Sequence, residues 1–316
     1  MFDFEMPSLE WRVCEIPKPN KPGEFRKLTI PNYDLLVLQE RLYQYLKGLK
    51  RPRPAPYAHG FVPYRNTISA VMALDPKADV ILGMDAKDFF DTFPVANVRE
   101  ALRASDELTE NDIDRILTAC TYKNTLPQGA PTSPWLTNIG MRDVDCMLNA
   151  YALRKGFRYV RYADDIFMST YLPPGEPRPK KGHFLPIFYG VETLLKKTLG
   201  IRLHWSKSHV IYRDGSTHCE VLGIVLAHDR KGLNAPQKMR KNARAGVCAL
   251  ATKIEKNGGR TYPEDHARWR ELLGYVRYFD NIRAAGEERN GADTFIQEHY
   301  WNVLCDAFGV SGKEED

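Results

Sequence analysis

The fold of this chain is decided by residues 157–169, FRYVRYADDIFMS, in which two apolar stretches flank a pair of aspartates. Residues 157–162 alternate in a way that is typical of a β-strand. Residues 166–169 predict a second strand, and residues 163–165 form the turn between the two. The segment is therefore predicted to be a β-hairpin that carries two adjacent carboxylates at its tip.

A third carboxylate, Asp85, ends another predicted strand, the apolar run 80–84 (VILGM). Clustered carboxylates near a core are costly, because like charges repel and ionised groups lose hydration. A cation offsets that cost, and hard oxygen ligands favour Mg²⁺ or Mn²⁺ over zinc. The sequence therefore predicts that Asp85, Asp164 and Asp165 hold two divalent cations suited to phosphoryl transfer. Taken alone, an Asp-Asp pair such as Asp164-Asp165 is most often simply a polar turn.

Composition excludes several classes of protein. The 316 residues are 43% hydrophobic, which is ample for a core. The six cysteines are dispersed without a CxxC pair, which favours reduced thiols and a cytoplasmic location. The acidic N-terminus does not resemble a secretory signal, and no apolar run predicts a membrane span. The net charge of +5 is compatible with a nucleic-acid partner and also with an ordinary solvated surface.

The remaining pattern predicts an α+β fold whose last third is a separate helical subdomain. Predicted helices begin near Asn32 and cover 95–119, 135–153 and 186–200, and the chain is helical from about Asn234 onward. Further strands are predicted at 25–30, 201–204, 208–212 and 219–227.

Several motifs occur in an order that resembles one enzyme family. Residues 162–165, YADD, resemble the YxDD box of reverse transcriptases. Residues 126–134, LPQGAPTSP, resemble that family's LPQGxxxSP box, and residues 85–90, DAKDFF, resemble its DxxxFF box. Weaker matches to its fingers, lysine-bearing and primer-grip segments are FRKL at 25–28, WSK at 205–207 and VLG at 221–223.

Within that family the chain looks most like the compact bacterial retron-type enzymes. Residues 57–62, YAHGFV, and 272–277, LLGYVR, resemble segments of that group. Residues 69–73, SAVMA, depart from its NAxxH motif, and residues 221–223, VLG, depart from its VTG motif. A divergent retron enzyme and another bacterial defence-type reverse transcriptase both fit these departures.

The resemblance implies a right-hand polymerase fold. Residues 1–230 would form the fingers and a palm with an antiparallel sheet under helices, and residues 231–316 a helical thumb. The implied reaction is RNA-directed DNA synthesis from dNTPs. In the retron style, a structured non-coding RNA is template and primer, the RNA-linked DNA product stays bound, and an effector protein completes an anti-phage system. The alternatives are template-independent or protein-primed synthesis, and a catalytically silent nucleic-acid-binding scaffold.

The resemblance also implies roles at the metal site. Asp85, Asp164 and Asp165 would be the catalytic carboxylates, helped by the backbone carbonyl of Ala86. Asp85 and Asp164 are expected to be direct ligands, and Asp165 is expected to point less directly at the ions. Lys207 would donate a proton to departing pyrophosphate or contact a template phosphate.

Four residues concern the incoming nucleotide. Phe90 matches an aromatic gate that excludes a 2′-hydroxyl, with core packing as its alternative, and Phe89 is expected to be core. Arg26 matches the fingers arginine that binds triphosphate oxygens, a task suited to a guanidinium fork. Lys27 would assist it or lie on a solvated strand. Gln128 begins a loop that would support the nucleotide sugar and the primer 3′ end.

Overall fold

The structure is a computed structural model that describes residues 4–17, 23–175, 177–213, 219–227, 232–286 and 298–309. The chain divides into two compact units, Met1–Tyr212 and Arg213–Asp316. The division at residue 230 into fingers with palm and a thumb is a functional assignment, and it stays a prediction.

The first unit contains six strands and eight α-helices among its described residues. In chain order they are β1 (Trp11–Pro17), β2 (Phe25–Pro31), α1 (Tyr33–Gly48), α2 (Thr67–Ala73), β3 (Val80–Asp85), α3 (Phe89–Thr92), α4 (Val95–Arg103), α5 (Glu110–Cys120), α6 (Ser133–Gly140), α7 (Arg142–Arg154), β4 (Arg158–Tyr162), β5 (Asp165–Thr170), α8 (Leu185–Leu199) and β6 (His209–Tyr212). A short 3₁₀ helix, Lys181–Phe184, precedes α8.

The centre of this unit is a four-stranded antiparallel sheet with strand order β4-β5-β3-β6. The two apolar runs of the predicted hairpin are β4 and β5, and the buried run that ends at Asp85 is β3. Helices α6, α7 and α8 contribute buried residues such as Trp135, Leu148 and Leu195 to the core shared with this sheet. The predicted antiparallel sheet packed against helices is confirmed.

A separate two-stranded sheet pairs β1 with β2, and α1 follows it directly. The side chain of Asn32 accepts a hydrogen bond from the Leu35 amide at 3.0 Å and so caps the first turn of α1. Leu35, Leu42 and Leu46 are buried on one face of this helix. The strand predicted at 25–30 and the helix predicted to start at Asn32 are confirmed.

Two long helices predicted from periodicity are wrong, because each is broken in two. The region 95–119 contains α4 and α5, and Thr109 starts α5 through a capping box with Asp112. The region 135–153 contains α6 and α7, which meet at Met141. Hydrophobic periodicity by itself does not show where one helix ends and the next begins.

The strand predicted at 201–204 is absent, and only an isolated bridge joins Leu203 to Ala86. The strand predicted at 208–212 is β6.

The second unit has a small antiparallel sheet followed by helices. Its described elements are β7 (Glu220–Val221), β8 (Ile224–Leu226), β9 (Leu233–Asn234), α9 (Gln237–Lys256), α10 (Pro263–Ala285) and α11 (Glu298–Phe308). The single strand predicted at 219–227 is instead a hairpin, because Leu222 and Gly223 both have positive φ and turn the chain. Asn234 lies in β9, so the predicted helix begins slightly later, at Gln237. No helix in the described parts of the chain is long and apolar enough to cross a bilayer.

Replacing Leu148 with alanine should lower the free energy of unfolding by about 2–5 kcal/mol, because Leu148 is fully buried on α7 and the change leaves a cavity. Urea denaturation followed by circular dichroism would measure the loss. Leu153→Ala is the matched control, since Leu153 lies on the same helix and is 61% exposed. Equal losses from both variants would contradict this assignment of the core face.

Candidate active site

The structure brings the three predicted aspartates together at one end of the central sheet. In the antiparallel register of β3 with β5, Asp85 lies opposite Asp165. The Ala86 amide donates a hydrogen bond to the carbonyl of Asp164 at 3.1 Å. One detail of the prediction is wrong: Asp165 is the first residue of β5, so the turn consists of Ala163 and Asp164 only. Pairing with Tyr162 draws Asp165 into the ladder.

Two carboxylates of this cluster, Asp164 and Asp165, have raised pKa values. Burial, together with repulsion from Asp164 and Asp85, raises the pKa of Asp165 to about 7. Burial also raises the pKa of Asp164, and Asp85 adds to the rise while Lys207 and Arg26 oppose it. Perturbed carboxylates of this kind are typical of functional sites. Bound positive charge would relieve the repulsion.

One positive charge is already present, because the Lys207 ammonium lies 2.8 Å from Oδ2 of Asp85. The hydrogen bond to Asp85 raises the pKa of Lys207. The segment that carries Lys207 is held in place by the His204 amide, which donates to the carbonyl of Asp85 at 2.8 Å. Lys207 is therefore at the site, where the sequence predicted it, and its partner there is Asp85.

The donor chemistry of the site fits a hard divalent cation, because Asp85, Asp164 and Asp165 supply only oxygen ligands. In the structure, the three carboxylates are not arranged to coordinate an ion together. Among the residues that the structure describes, no three or more His, Cys, Asp or Glu side chains are disposed to hold an ion. Because the Lys207 ammonium bonds to Oδ2 of Asp85, an ion bound through that oxygen would have to displace it. The contribution of the Ala86 carbonyl stays a prediction.

The two phenylalanines after β3 differ in burial. Phe89 is 3% exposed and packs edge-on against Phe93, with ring centroids 5.6 Å apart, so its expected place in the core is confirmed. Phe90 is only partly buried, and its ring meets that of Phe89 at 5.5 Å. The Phe89 ring thus supports the Phe90 ring from behind. The gating role of Phe90 stays a prediction.

Arg26 and Lys27 are exposed neighbours on β2, but they act on different carboxylates. Arg26 is close enough to lower the pKa of Asp164. Lys27 instead opposes the rise in the pKa of Asp91. Arg26 is therefore the better placed of the two to meet a triphosphate beside Asp164.

The Gln128 loop is fastened to β2. The Thr29 amide donates to the carbonyl of Gln128 at 2.8 Å. Gly129 adopts φ +121°, and a Cβ there would lie 2.8 Å from the Thr29 carbonyl oxygen. Only glycine permits this close approach of two backbones. Gln128 is therefore fixed to the strand that carries Arg26.

The sequence patterns did not predict two residues that contact the Ala163-Asp164 turn. Gly60 packs so closely that a Cβ on it would lie 2.5 Å from the Ala163 nitrogen. Arg161 is buried and donates to the Ala163 carbonyl at 2.8 Å. Strand alternation could have revealed Arg161, because it shares a face of β4 with the buried Phe157 and Tyr159. A charged residue on a buried face needs partners.

Comparison with known proteins identifies the class. Residues 16–226 match a family model described as reverse transcriptase (RNA-dependent DNA polymerase). The match covers more than half of the chain, and the chain belongs to the reverse transcriptase family. Membership implies dependence on a divalent metal ion.

Curated relatives confirm the predicted resemblance to bacterial retron-type enzymes. The chain is 28% identical over 251 residues to the Retron Mx162 reverse transcriptase of Myxococcus xanthus, and the matched region covers 72% of this chain and 50% of that protein. It is 30% identical over 162 residues to the Retron Ec86 reverse transcriptase of Escherichia coli, and that matched region covers 51% of this chain and 49% of that protein. The matched regions thus span about half the length of these two relatives.

Solved structures resemble the fold at low identity. The apo telomerase from Candida tropicalis has a TM-score of 0.54 at 10% identity and covers 98% of this chain and 64% of its own. A telomerase from Candida albicans, in complex with a fragment of telomeric RNA, has a TM-score of 0.50 at 12% identity and covers 97% of this chain and 61% of its own. The predicted α+β right-hand polymerase fold is confirmed.

Replacing Gly60 with alanine should lower the activity of the site, because the added Cβ would clash with the Ala163 amide and displace the turn. Overpacking of this kind costs about 1–3 kcal/mol. Primer-extension rates and thermal unfolding would be measured together. Gly48→Ala is the control, since Gly48 ends α1 and a Cβ there meets nothing within 4 Å. An unchanged rate for Gly60→Ala would contradict the close packing of this loop on the turn.

Proposed function

We propose that this chain is an RNA-directed DNA polymerase that copies a structured RNA into DNA from dNTPs. The supporting observation is the cluster of Asp85, Asp164 and Asp165 at one end of the sheet, in a chain of the reverse transcriptase family. A primer hydroxyl attacks the α-phosphorus of the dNTP, a new phosphodiester bond forms, and the bond to pyrophosphate breaks. The first nucleophile is a 3′-hydroxyl or, in the retron style, an RNA 2′-hydroxyl.

Two Mg²⁺ ions, with Mn²⁺ as an alternative, would be held by the three carboxylates and the Ala86 carbonyl, and would supply an activated hydroxyl and neutralised phosphate charge. The raised pKa values of Asp164 and Asp165 support this role, since they result from burial and from repulsion by the neighbouring carboxylates, both of which a bound cation would offset. Asp85 and Asp164 are the proposed direct ligands.

Other residues act on the nucleotide. Arg26 binds triphosphate oxygens, and its proximity to Asp164 supports this role. Gln128 supports the sugar and primer end from a loop fixed to the same strand. Lys27 is a weaker candidate, since the carboxylate near it is Asp91. Phe90 lies beneath the sugar and excludes a 2′-hydroxyl.

Lys207 acts on the leaving group. Its ammonium is positively charged and lies at the metal-binding carboxylates. Once released from Asp85, it is in reach of a phosphate bound there and can protonate pyrophosphate. Contact with a template phosphate is the alternative role.

The biological setting that we propose is that of a retron. The curated relatives bear the name of retron reverse transcriptases, and this supports a structured non-coding RNA as template and primer. The RNA-linked single-stranded DNA would remain bound, and an effector protein would complete an anti-phage system in the cytoplasm. Nucleic acid that copurifies with the protein tests this proposal. A branched RNA–DNA molecule is the expected finding, and its absence from an active preparation would favour another defence-type reverse transcriptase.

Replacing Asp164 with asparagine should reduce extension of a primed RNA template by at least about 100-fold, the scale of losing one electrostatic contact in a transition state. The amide is isosteric but carries no negative charge to hold a metal ion. Single-nucleotide incorporation at saturating dNTP and Mg²⁺ measures the effect.

Asp143→Asn is the control for Asp164→Asn, because Asp143 is exposed on α7. It should leave the rate of extension unchanged. Full activity of Asp164→Asn would refute the catalytic assignment. Incorporation by the unaltered protein without template would support template-independent synthesis, and a complete lack of incorporation would support the silent scaffold.

Replacing Phe90 with alanine should raise the incorporation of rNTP relative to dNTP by at least roughly 10-fold, the lower range of discrimination that an apolar contact supplies. The smaller side chain leaves room for a 2′-hydroxyl. The ratio of kcat/KM for a matched rNTP and dNTP is the measurement. A conservative Phe90→Tyr variant should keep the original preference. If Phe90→Ala also keeps it, Phe90 is a packing residue only.

A further inference from the structure

Arg161 is a buried arginine that contacts the turn from which Asp164 projects. Arg161 is 1% exposed and Asp145 is fully buried, so both charges lie in the core. The Nε and Nη2 atoms of Arg161 donate to the two carboxylate oxygens of Asp145, each at 2.8 Å. This fork-to-carboxylate arrangement fixes the plane of the guanidinium.

The remaining amino group of Arg161 is directed at the turn. Its Nη1 donates to the carbonyl oxygen of Ala163 at 2.8 Å. Ala163 has φ +56°, the left-handed region that residues with a Cβ avoid. The bonded carbonyl belongs to the planar peptide that also contains the Asp164 nitrogen. The hydrogen bond therefore fixes the peptide from which the Asp164 side chain departs.

A second contact extends the network to the neighbouring loop. Nη2 of Arg161 donates to the side-chain oxygen of Asn138 at 2.9 Å, and Nδ2 of Asn138 donates to the Gly60 carbonyl at 2.8 Å. The His59 amide donates to the Arg161 carbonyl at 2.8 Å. Gly60 in turn abuts the Ala163 nitrogen. The turn is thus held through its carbonyl on one side and packed at its amide on the other.

Stability alone does not explain this arrangement, because apolar residues of similar volume often replace a buried ion pair without loss of stability. What apolar residues cannot do is bridge a carboxylate and a backbone carbonyl. Lysine cannot reproduce this bridge either, since its single ammonium lacks the planar fork of a guanidinium. The distinctive property of Arg161 is that its planar guanidinium bonds to the Asp145 carboxylate and to the Ala163 carbonyl at once.

We propose that Arg161 is a positioning residue that holds the Ala163-Asp164 peptide in its left-handed turn, and so sets the affinity of the carboxylate site for divalent metal. The inference deepens the proposed function and rests on it for the consequence in DNA synthesis. Its consequence for metal binding is measured separately.

The test is Arg161→Lys in the full chain, which keeps a cation beside Asp145 but loses the bridge to Ala163. Loss of a contact that orients a ligand typically costs about 10–100-fold in metal affinity or activity. We expect a loss of this size in the affinity of the free protein for Mn²⁺, measured from the free-ion signal in electron paramagnetic resonance. We also expect a fall in kcat, with little change in the dissociation constant for primed template.

Tyr159→Phe is the matched control. The Tyr159 hydroxyl donates to the same carboxylate of Asp145 at 2.7 Å, so its removal weakens the buried network but leaves the contact between Arg161 and Ala163. This variant should unfold at a lower temperature with unchanged Mn²⁺ affinity and kcat. If Arg161→Lys does not fold, the double variant Arg161→Met with Asp145→Leu serves instead, because it removes both buried charges together and takes away the bridge to Ala163. It should weaken Mn²⁺ binding in the same direction.

The outcomes separate the two proposals. If Arg161→Lys loses only thermal stability and binds Mn²⁺ as the unaltered protein does, the inference is overturned and Arg161 is a purely structural residue. An equal loss of Mn²⁺ affinity in Tyr159→Phe would also overturn it, because any weakening of the core would then suffice. If the unaltered protein makes no DNA but Arg161→Lys still weakens Mn²⁺ binding, the proposed function fails while the positioning role stands.

Discussion

The antiparallel pairing of β3 with β5 is the constraint on which the rest of the site depends. It places Asp85 opposite Asp165 and brings the Ala86 amide to the carbonyl of Asp164. Both faces of β3 are buried, so a slip of one residue would exchange the side chains packed on its two faces and disturb the core on each side. The burial of Val80, Leu82 and Met84 opposes such a slip. Packing of the core thereby fixes the spacing of the carboxylates.

That spacing brings partly buried carboxylates close together, and the nearby positive charges offset their repulsion only in part. Burial and mutual repulsion raise the pKa values of Asp164 and Asp165, while Lys207 and Arg26 bring positive charge nearby. The Lys207 ammonium pairs with Asp85. Added positive charge would relieve the repulsion among these carboxylates, and a divalent cation would supply more of it than one lysine does.

Close backbone approaches complete the site. Gly60 brings one loop against the Ala163 amide, and Gly129 brings another against the Thr29 carbonyl. Each contact excludes a Cβ, so the small residue is required by the neighbouring backbone. The buried pair of Arg161 and Asp145 then ties the turn to the helices behind the sheet. The side chains that we propose to be catalytic are thus placed by segments far apart in the chain.

The sequence by itself determined the strands that carry the aspartates, the hairpin at residues 157–169, the resemblance to reverse transcriptases and the identity of the carboxylates. Alternation and short motifs are local, so they can be read without a structure. Tertiary structure alone decided that 95–119 and 135–153 are each two helices, that Asp165 belongs to β5, and that Lys207 pairs with Asp85. It also decided that Arg161 is buried against Asp145 and supports Ala163. The pairings of Lys207 and Arg161 depend on residues distant in sequence, and the local pattern carries no record of which distant groups will meet. The helix start at Thr109 and the place of Asp165 rest on local contacts that hydrophobic periodicity does not reveal.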